Sequence, residues 1–223
     1  MHITCEPAIL YFGTPVLLIS TVNEDGSFNL APMSSAFWLG WRCVLGLSAV
    51  SQTTRNIIRT GECVLNLPSV NEVAAVNDLA RTTGANPVPD VKRLRGYRYE
   101  PDKFGVADLT PVASETVAAP RILECPVQLE AVMEARHDLG QGDDRLRGRT
   151  SLFEVRIQRV HIEDSLLMKG ESNRIDPDKW RPLIMSFQKF YGLADGELHD
   201  SILARIPEAL YRSPDVDRAR EMA

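Results

Sequence analysis

The sequence predicts a mainly β chain, a β-barrel with added helices. Three observations lead there. Apolar, β-branched-rich runs of strand length recur at Thr14–Thr21, Val44–Val50 and Cys63–Leu67, and such runs favour a pleated, buried surface. The stretch Ser151–Ile162 alternates Phe153, Val155 and Ile157 with Glu154, Arg156 and Gln158, the period of two of a half-buried strand. The runs follow one another in meander order with a few helices inserted, unlike the regular βαβ alternation of a parallel sheet.

Each element has a local reason. Asn23–Gly26 (NEDG) is a turn signal, and Ser27–Pro32 reads as the return strand of a hairpin. After Val50, Ser51 suits a helix N-cap, Ile57 and Ile58 give an apolar face, and Gly61 is a stop. Ser69 and Glu72 match a capping box before a helix running to about Arg81. Thr82–Pro101 carries Gly84, Pro87 and Pro89 and reads as a long irregular connection; a loop of that length is often functional or covers something. Lys103–Leu109 reads as a short helix, Ile122–Ala135 and Ser151–Ile162 as strands, and Gly140–Gly148 as the turn joining them. Asp176–Trp180 places Pro177 at a helix start. Met185–Leu193 reads as a last strand, Leu198–Tyr211 as helical with a break at Pro207, and Arg212–Ala223 as a polar, frayed end. The expected division is a barrel domain over 1–193 and a C-terminal helical extension over 194–223.

Composition narrows the function. A formal net charge of -5 on 223 residues speaks against a general electrostatic footprint on nucleic acid. No apolar run approaches the ~20 residues that span a bilayer, so no membrane partner is expected. The segment Met1–Pro7 lacks the features of a signal peptide, and the cytoplasm is the expected compartment. The four cysteines, Cys5, Cys43, Cys63 and Cys125, show no C-x-x-C spacing and read as reduced thiols behaving as small hydrophobes. His2, His137, His161 and His199 are scattered, so no metal site is expected. His161 ends a strand-like run and reads as a hydrogen-bonded structural imidazole, with general acid–base work as the alternative. The dinucleotide fingerprint, the P-loop, H-E-x-x-H and G-x-S-x-G are all missing.

One window does carry chemistry. Gly26–Thr60 holds no Asp or Glu although the chain has 30 of them, while Arg42, Arg55 and Arg59 and eight hydroxyl side chains lie within it. A carboxylate-free stretch rich in small donors suits an anionic ligand. Within it, Ser51-Gln52-Thr53-Thr54-Arg55-Asn56 lies where a strand passes into a helix. A helix start offers free N–H groups and partial positive charge, hydroxyls add donors, and Arg55 adds a full charge. Ordinary Ser/Thr capping beside a solvated arginine would look the same. A second stretch, Asn29-Leu30-Ala31-Pro32-Met33-Ser34-Ser35-Ala36-Phe37, has the small residues that let backbone approach a flat ligand, with Phe37, Trp38 and Trp41 as walls. A barrel strand with aromatic core residues fits it equally.

Several motifs in order resemble the flavin reductase-like, FMN-binding split-barrel family, nearest to its flavoredoxin-like branch. They are Pro15 with Ile19-Ser20-Thr21; Asp25-Gly26, Asn29 and Ala31-Pro32 through Ser34-Ser35-Ala36-Phe37; and Ser51, Thr53, Asn56-Ile57, Thr60-Gly61-Glu62, Val64 and Asn66-Leu67. Lys103-Phe104, Leu109-Thr110, Pro120-Arg121-Ile122, Glu124-Cys125-Pro126, Val160-His161-Ile162 and Ile175 through Leu193 extend the similarity over roughly residues 10–193. The resemblance implies a Greek-key split β-barrel that forms a homodimer, with FMN near the subunit interface. Carried over by position, Asn29 and Pro32, Ser34, Ser35, Ala36 and Phe37 line the flavin ring and ribityl chain; Ser51, Thr53, Thr54, Arg55 and Asn56 meet the phosphate; Tyr191 lies near the flavin. Many members carry a lysine shortly before Thr-x-x-Asn. Here Ser51 and Gln52 stand there, leaving Arg55 or Arg59 to supply the charge.

The implied activity is that of an FMN-dependent oxidoreductase, an NAD(P)H:flavin reductase or a flavoredoxin-like electron carrier. NADH or NADPH is its donor, and the flavin carries the chemistry in place of catalytic side chains. The basic run Lys92, Arg93, Arg95 and Arg98 either greets the dinucleotide phosphates or is a solvated loop. The alternatives are a split-barrel module that binds flavin or haem without turnover, and a partner protein that has kept the barrel and lost the ligand.

Overall fold

A computed structural model describes residues 1–199 and 201–222. In chain order it contains β1 (Phe12–Pro15), β2 (Leu17–Val22), β3 (Phe28–Met33), β4 (Ala36–Leu39), β5 (Arg42–Ser48), α1 (Gln52–Thr60), β6 (Glu62–Leu67), α2 (Val73–Leu79), β7 (Thr82–Thr83), α3 (Asp90–Arg93), β8 (Arg98–Tyr99), α4 (Lys103–Val106), β9 (Pro111–Val112), β10 (Arg121–Ile122), β11 (Val127–Asp138), β12 (Thr150–Ile162), β13 (Ile184–Ser186), β14 (Lys189–Tyr191) and α5 (Pro214–Glu221).

The main sheet is antiparallel and has seven strands in the order β3-β2-β6-β11-β12-β5-β4. Its two edge strands, β3 and β4, are consecutive in the chain and separated only by Ser34 and Ser35. Laid flat, seven strands ~4.8 Å apart would hold their edges roughly 29 Å from each other. Three residue steps reach about 11 Å at most. The sheet therefore curls until its edges meet, with no ladder between them: a split barrel, as the sequence predicts.

The curl makes two cores. Leu17, Ile19, Leu45, Leu47, Leu65, Ala131, Phe153 and Val155 fill the barrel, joined by Ile57 from α1. Val16, Leu18 and Leu30 face outward onto Val76 and Leu79 of α2, Phe104 of α4, and Ile122. Alternate residues of β2 thus feed opposite cores, which is why its sequence is a continuous apolar run.

Local signals explain most elements. Ser51 Oγ accepts from Thr54 N at 3.1 Å and caps α1, and Gly61 ends it at a positive φ of 73°. Ser69 and Glu72 form the capping box, but the first turn is 3₁₀ over Val70–Glu72 before α2 begins. The last strand is a hairpin, with Phe187 and Gln188 at φ 44° and 66° turning β13 into β14.

Four expectations need correction. The stretch Thr82–Pro101 is not wholly irregular: β7 pairs with β8 in parallel, and α3 lies between them. Asp176–Trp180 is a single turn, stopped because Arg181 precedes Pro182 and is steered out of the helical region. Leu198–Tyr211 holds two short 3₁₀ turns, Ile202–Arg205 and Glu208–Tyr211, on either side of Pro207. The polar end is not frayed. In α5, Asp215 is buried and pairs with Arg42 at 3.3 Å and Arg218 at 3.1 Å, while Ala219 is buried beside it. Arg42 of β5, with Arg159 of β12 donating to the Met222 carbonyl at 3.2 Å, anchors a helix whose composition alone reads as solvent-exposed.

Candidate functional site

A cleft of about 150 Å³ opens where α1 begins, between β3 on one side and the segment from β7 to α4 on the other. Its wall on the barrel side is Asn29, Ala31, Pro32, Met33, Ser48, Ser51, Gln52 and Thr53; Ala80, Thr82, Thr83, Gly84, Val91, Lys92, Arg95, Tyr97 and Lys103 complete it. No carboxylate lines it.

The floor is a polar chain that links three elements. Lys103 is only 3% exposed. Its Nζ donates to Asn29 Oδ1 at 3.1 Å and to the Leu30 carbonyl at 2.7 Å. Asn29 in turn donates from Nδ2 to Thr53 Oγ1 at 3.0 Å and Thr21 Oγ1 at 3.3 Å. An ammonium has three donors, so one Lys103 N–H remains for a ligand. Among the described residues no carboxylate lies within ion-pair distance of it. Burial pushes the Lys103 ammonium down to about 7; Lys92 adds to the shift and Glu100 opposes it.

The rim adds charge. Lys92 Nζ donates to Thr83 Oγ1 at 3.2 Å and sits 5.5 Å from the Tyr97 ring centroid. Burial, followed by the nearby Arg55, lowers its pKa. Gly84 lets the backbone press close: a Cβ there would collide with Asn29 Oδ1 and meet Gln52 Cβ at 3.3 Å. At the start of α1 the first N–H groups have no intrahelical partner, and Gln52 and Thr53 bring them to the cleft wall.

Of the residues expected from sequence, the structure brings Asn29, Pro32, Ser51 and Thr53 into the cleft. Thr54 and Asn56 turn inward. Thr54 Oγ1 donates to the Ser48 carbonyl at 2.8 Å, and Asn56 Nδ2 donates to Thr21 Oγ1 and Asn23 Oδ1, each at 2.9 Å. Both tie α1 to the strands. Arg55 is exposed outside the cleft lining, and Arg59 donates to the Val22 carbonyl at 2.5 Å. Ser34 and Ser35 lie in the link between the sheet edges, Ala36 joins the barrel core, and Phe37 and Tyr191 are half exposed elsewhere. The charge comes instead from Lys92, Arg95 and Lys103. Lys103 belongs to a quoted motif but carries no assigned role in the sequence; its signal is a lysine inside an otherwise apolar short helix.

Two other candidates fall away from the cleft. His161 Nε2 donates to Glu130 Oε1 at 2.7 Å, within a buried clamp in which Glu130 also accepts from Glu115 N, Thr116 N and Thr116 Oγ1. Burial raises the Glu130 pKa, but these four donors outweigh it and hold the carboxyl below its usual range. Cys43, Cys63 and Cys125 are buried and free; burial pushes the Cys43 thiol up to about 12 and the other two upward as well, which leaves them inert. Among the described residues no helix is long and apolar enough to cross a membrane.

The sequence pattern of the flavin reductase like domain matches residues 9–194, and with them both walls of the cleft. The chain belongs to that family. Flavin-linked oxidoreduction is the general activity this flavin reductase-like membership points to. The protein YdfE of Bacillus subtilis (strain 168) is 37% identical over 191 residues, covering 84% of this chain and 87% of its own. Among solved structures, flavoredoxin of Desulfovibrio vulgaris (Miyazaki F) superposes with a TM-score of 0.73 at 22% identity, covering 92% of this chain and 98% of its own. Component B of nitrilotriacetate monooxygenase from Bacillus cereus has a TM-score of 0.67 at 24% identity, covering 85% and 88%. At these identities the two structures speak for the fold.

Proposed function

We propose that this flavin reductase-like protein binds FMN in the cleft and uses it to oxidise a reduced nicotinamide nucleotide, as a flavin reductase or a flavoredoxin-like carrier. One observation carries the reading. A buried lysine without a carboxylate partner faces a cleft whose other wall is a helix start rich in hydroxyls. An isolated buried cation is costly, and a phosphorylated, carbonyl-bearing ligand offsets that cost.

The residues fit such a ligand. Thr53 and the free N–H groups at the start of α1 receive its phosphate, joined by Ser51 when its hydroxyl turns from Thr54 Oγ1, to which it donates at 2.9 Å. Ala31, Pro32 and Met33 offer a face to a planar ring, and Gly84 lets the opposite wall pack onto Asn29 and Gln52. Lys103 aims its remaining N–H into the cleft, where it steadies negative charge that develops on a ring carbonyl. Val91 and Tyr97 exclude water from above. Bound there, a flavin supplies hydride acceptance and release, for which no catalytic side chain is required.

The homodimer belongs to this reading. In one chain, Ser34, Ser35, Phe37 and Tyr191 lie outside the cleft, with Phe37 on an edge strand at 53% exposure and Tyr191 at 51%. A second copy set against the β4 edge brings them toward a shared flavin. The cytoplasm remains the proposed compartment, and the segment 194–223 is proposed as a C-terminal extension whose α5 is held to the barrel through Asp215 and Arg42.

The decisive measurement is the visible spectrum of the purified protein, followed by FMN titration of the flavin-free form and addition of NADH or NADPH. Flavin absorbance that bleaches with either nucleotide supports the proposal. A colourless protein that leaves FMN fluorescence unchanged refutes it, and binding without bleaching favours the non-catalytic module.

A further inference from the structure

A second cleft, of about 320 Å³, adjoins the first. Asn77, Asp78, Ala80, Arg81, Arg98 and Val106 line it, and Ala80 lines both clefts. The partition between them is the two-stranded ribbon of β7 and β8, in which Thr82 pairs with Arg98. Thr82, Thr83 and Tyr97 line the first cleft, while Arg81 and Arg98, each next to one of them in the chain, line the second.

The second cleft carries one arginine, Arg81, that the fold leaves without an ion pair among the described residues. The Arg81 carbonyl only receives the Arg98 N–H in the ribbon. The carboxylate nearest the Arg98 guanidinium is Glu100, at 3.9 Å. One acid, Asp78, shares the lining. Two guanidinium groups and one carboxylate line the cleft, and because Glu100 pairs with Arg98, Arg81 is the arginine whose charge is left for a ligand. Guanidinium forks match phosphate oxygens in pairs, and a carboxylate beside them accepts from a sugar hydroxyl. Together they describe a ribose that bears a phosphate.

We infer that this arginine cleft takes the 2′-phosphorylated adenosine end of the nicotinamide donor, so that the protein discriminates NADPH from NADH. The inference rests on the flavin-site reading for the other end of the same donor. Lys92 and Arg95, in the first cleft's lining, are the cations left for the diphosphate that both nucleotides share. The arginine pair beyond the ribbon is additional and answers to a further dianion. Both arginines are exposed, so they serve selection among ligands rather than the core.

The test separates this inference from the flavin reading. Calorimetric titration of the full chain uses two fragments, 2′,5′-ADP and 5′-AMP, neither of which needs bound flavin. The expected result is at least tenfold tighter binding of 2′,5′-ADP, with the difference removed in both Arg81→Ala and Arg98→Ala while FMN titration stays unchanged. In turnover, the ratio of kcat/KM for NADPH to that for NADH should fall tenfold or more in the variants, through KM. Equal affinity for the two fragments, binding of neither, or variants that keep the preference would overturn the inference even where FMN binds normally. Loss of FMN binding in the unmodified protein would instead sink the flavin reading.

Discussion

Lys103 Nζ lies 3.1 Å from Asn29 Oδ1, a contact between residues 74 positions apart that seals the floor of the cleft. It holds α4 to β3, and through Asn29 to Thr53 it fixes the start of α1. One buried cation thus sets the position of the helix start proposed to meet the ligand's phosphate.

Replacing that cation with an apolar chain of similar length isolates its contribution. Lys103→Met should weaken FMN binding at least tenfold, or ~1.4 kcal/mol. Stability should change by only about 1 kcal/mol, because relief of a desolvated charge offsets the two lost hydrogen bonds. Fluorescence titration and a urea melt measure the two separately. Unchanged FMN affinity would remove Lys103 from the site.

The same lysine makes binding pH-dependent. Its pKa is held near 7 instead of the ordinary 10.5, mainly by burial. Between those values the unfolded chain holds the extra proton, so this group's contribution to stability rises with pH through that window. Ligand affinity runs the other way. An anionic ligand whose ring carbonyl accepts from Lys103 favours the charged amine, so FMN affinity should fall by up to about tenfold per pH unit above about 7. Below about pH 6 the phosphate itself takes up a proton, and the gain should level off. Titrations from pH 5.5 to 9 test this, and Lys103→Met should flatten the upper limb.

Much of this was legible in the sequence, because strand period and helix capping are local. The continuous apolar run of β2, the alternation of β12 and the Ser51 cap each map onto their elements. The carboxylate-free window contains one wall of the cleft, since that wall comes from two nearby stretches, 29–33 and 48–53. The other wall was hidden. Lys92, Arg95 and Tyr97 reach the cleft only because β7 and β8 pair in parallel across the α3 crossover, and two-residue strands leave no periodicity to read. Asn56 fits the phosphate motif by spacing, but its amide is spent on Thr21 and Asn23. A helix cap and a ligand site use the same residue types, and only geometry separates them.

Ser51 should serve both fold and ligand. Its Oγ caps α1 at Thr54 N, so Ser51→Ala should cost about 1 kcal/mol of stability and weaken FMN binding as well. Ser51→Asn keeps a capping oxygen and should restore stability. Recovery of the melt without recovery of affinity would show that the hydroxyl itself meets the ligand.

Glu130 sets the limit of the functional site. It is fully buried and holds Glu115, Thr116 and His161 together. Glu130→Gln replaces a charged acceptor of four donors with a neutral group, and should cost about 3 kcal/mol. Because the carboxyl is held below its usual range, its contribution is present at neutral pH and lost as pH falls through the folded-state value. FMN affinity at neutral pH should be unchanged. A selective loss of binding or turnover in a folded variant would draw His161 back toward the chemistry.

Gly84 tests whether the cleft's width matters. A Cβ there collides with Asn29 Oδ1 and crowds Gln52, so either the wall retreats or Asn29 turns. If Asn29 turns, Lys103 loses an acceptor and Thr53 loses its donor. If the wall retreats, Thr83 draws away with Lys92, which is bonded to it. Either way Gly84→Ala should lower FMN affinity by tenfold or more. The cost in stability should be only about 1–3 kcal/mol, the usual range for overpacking. Titration beside a thermal melt distinguishes the two effects, and intact affinity in a folded Gly84→Ala protein would mean that the ligand does not lie between these walls.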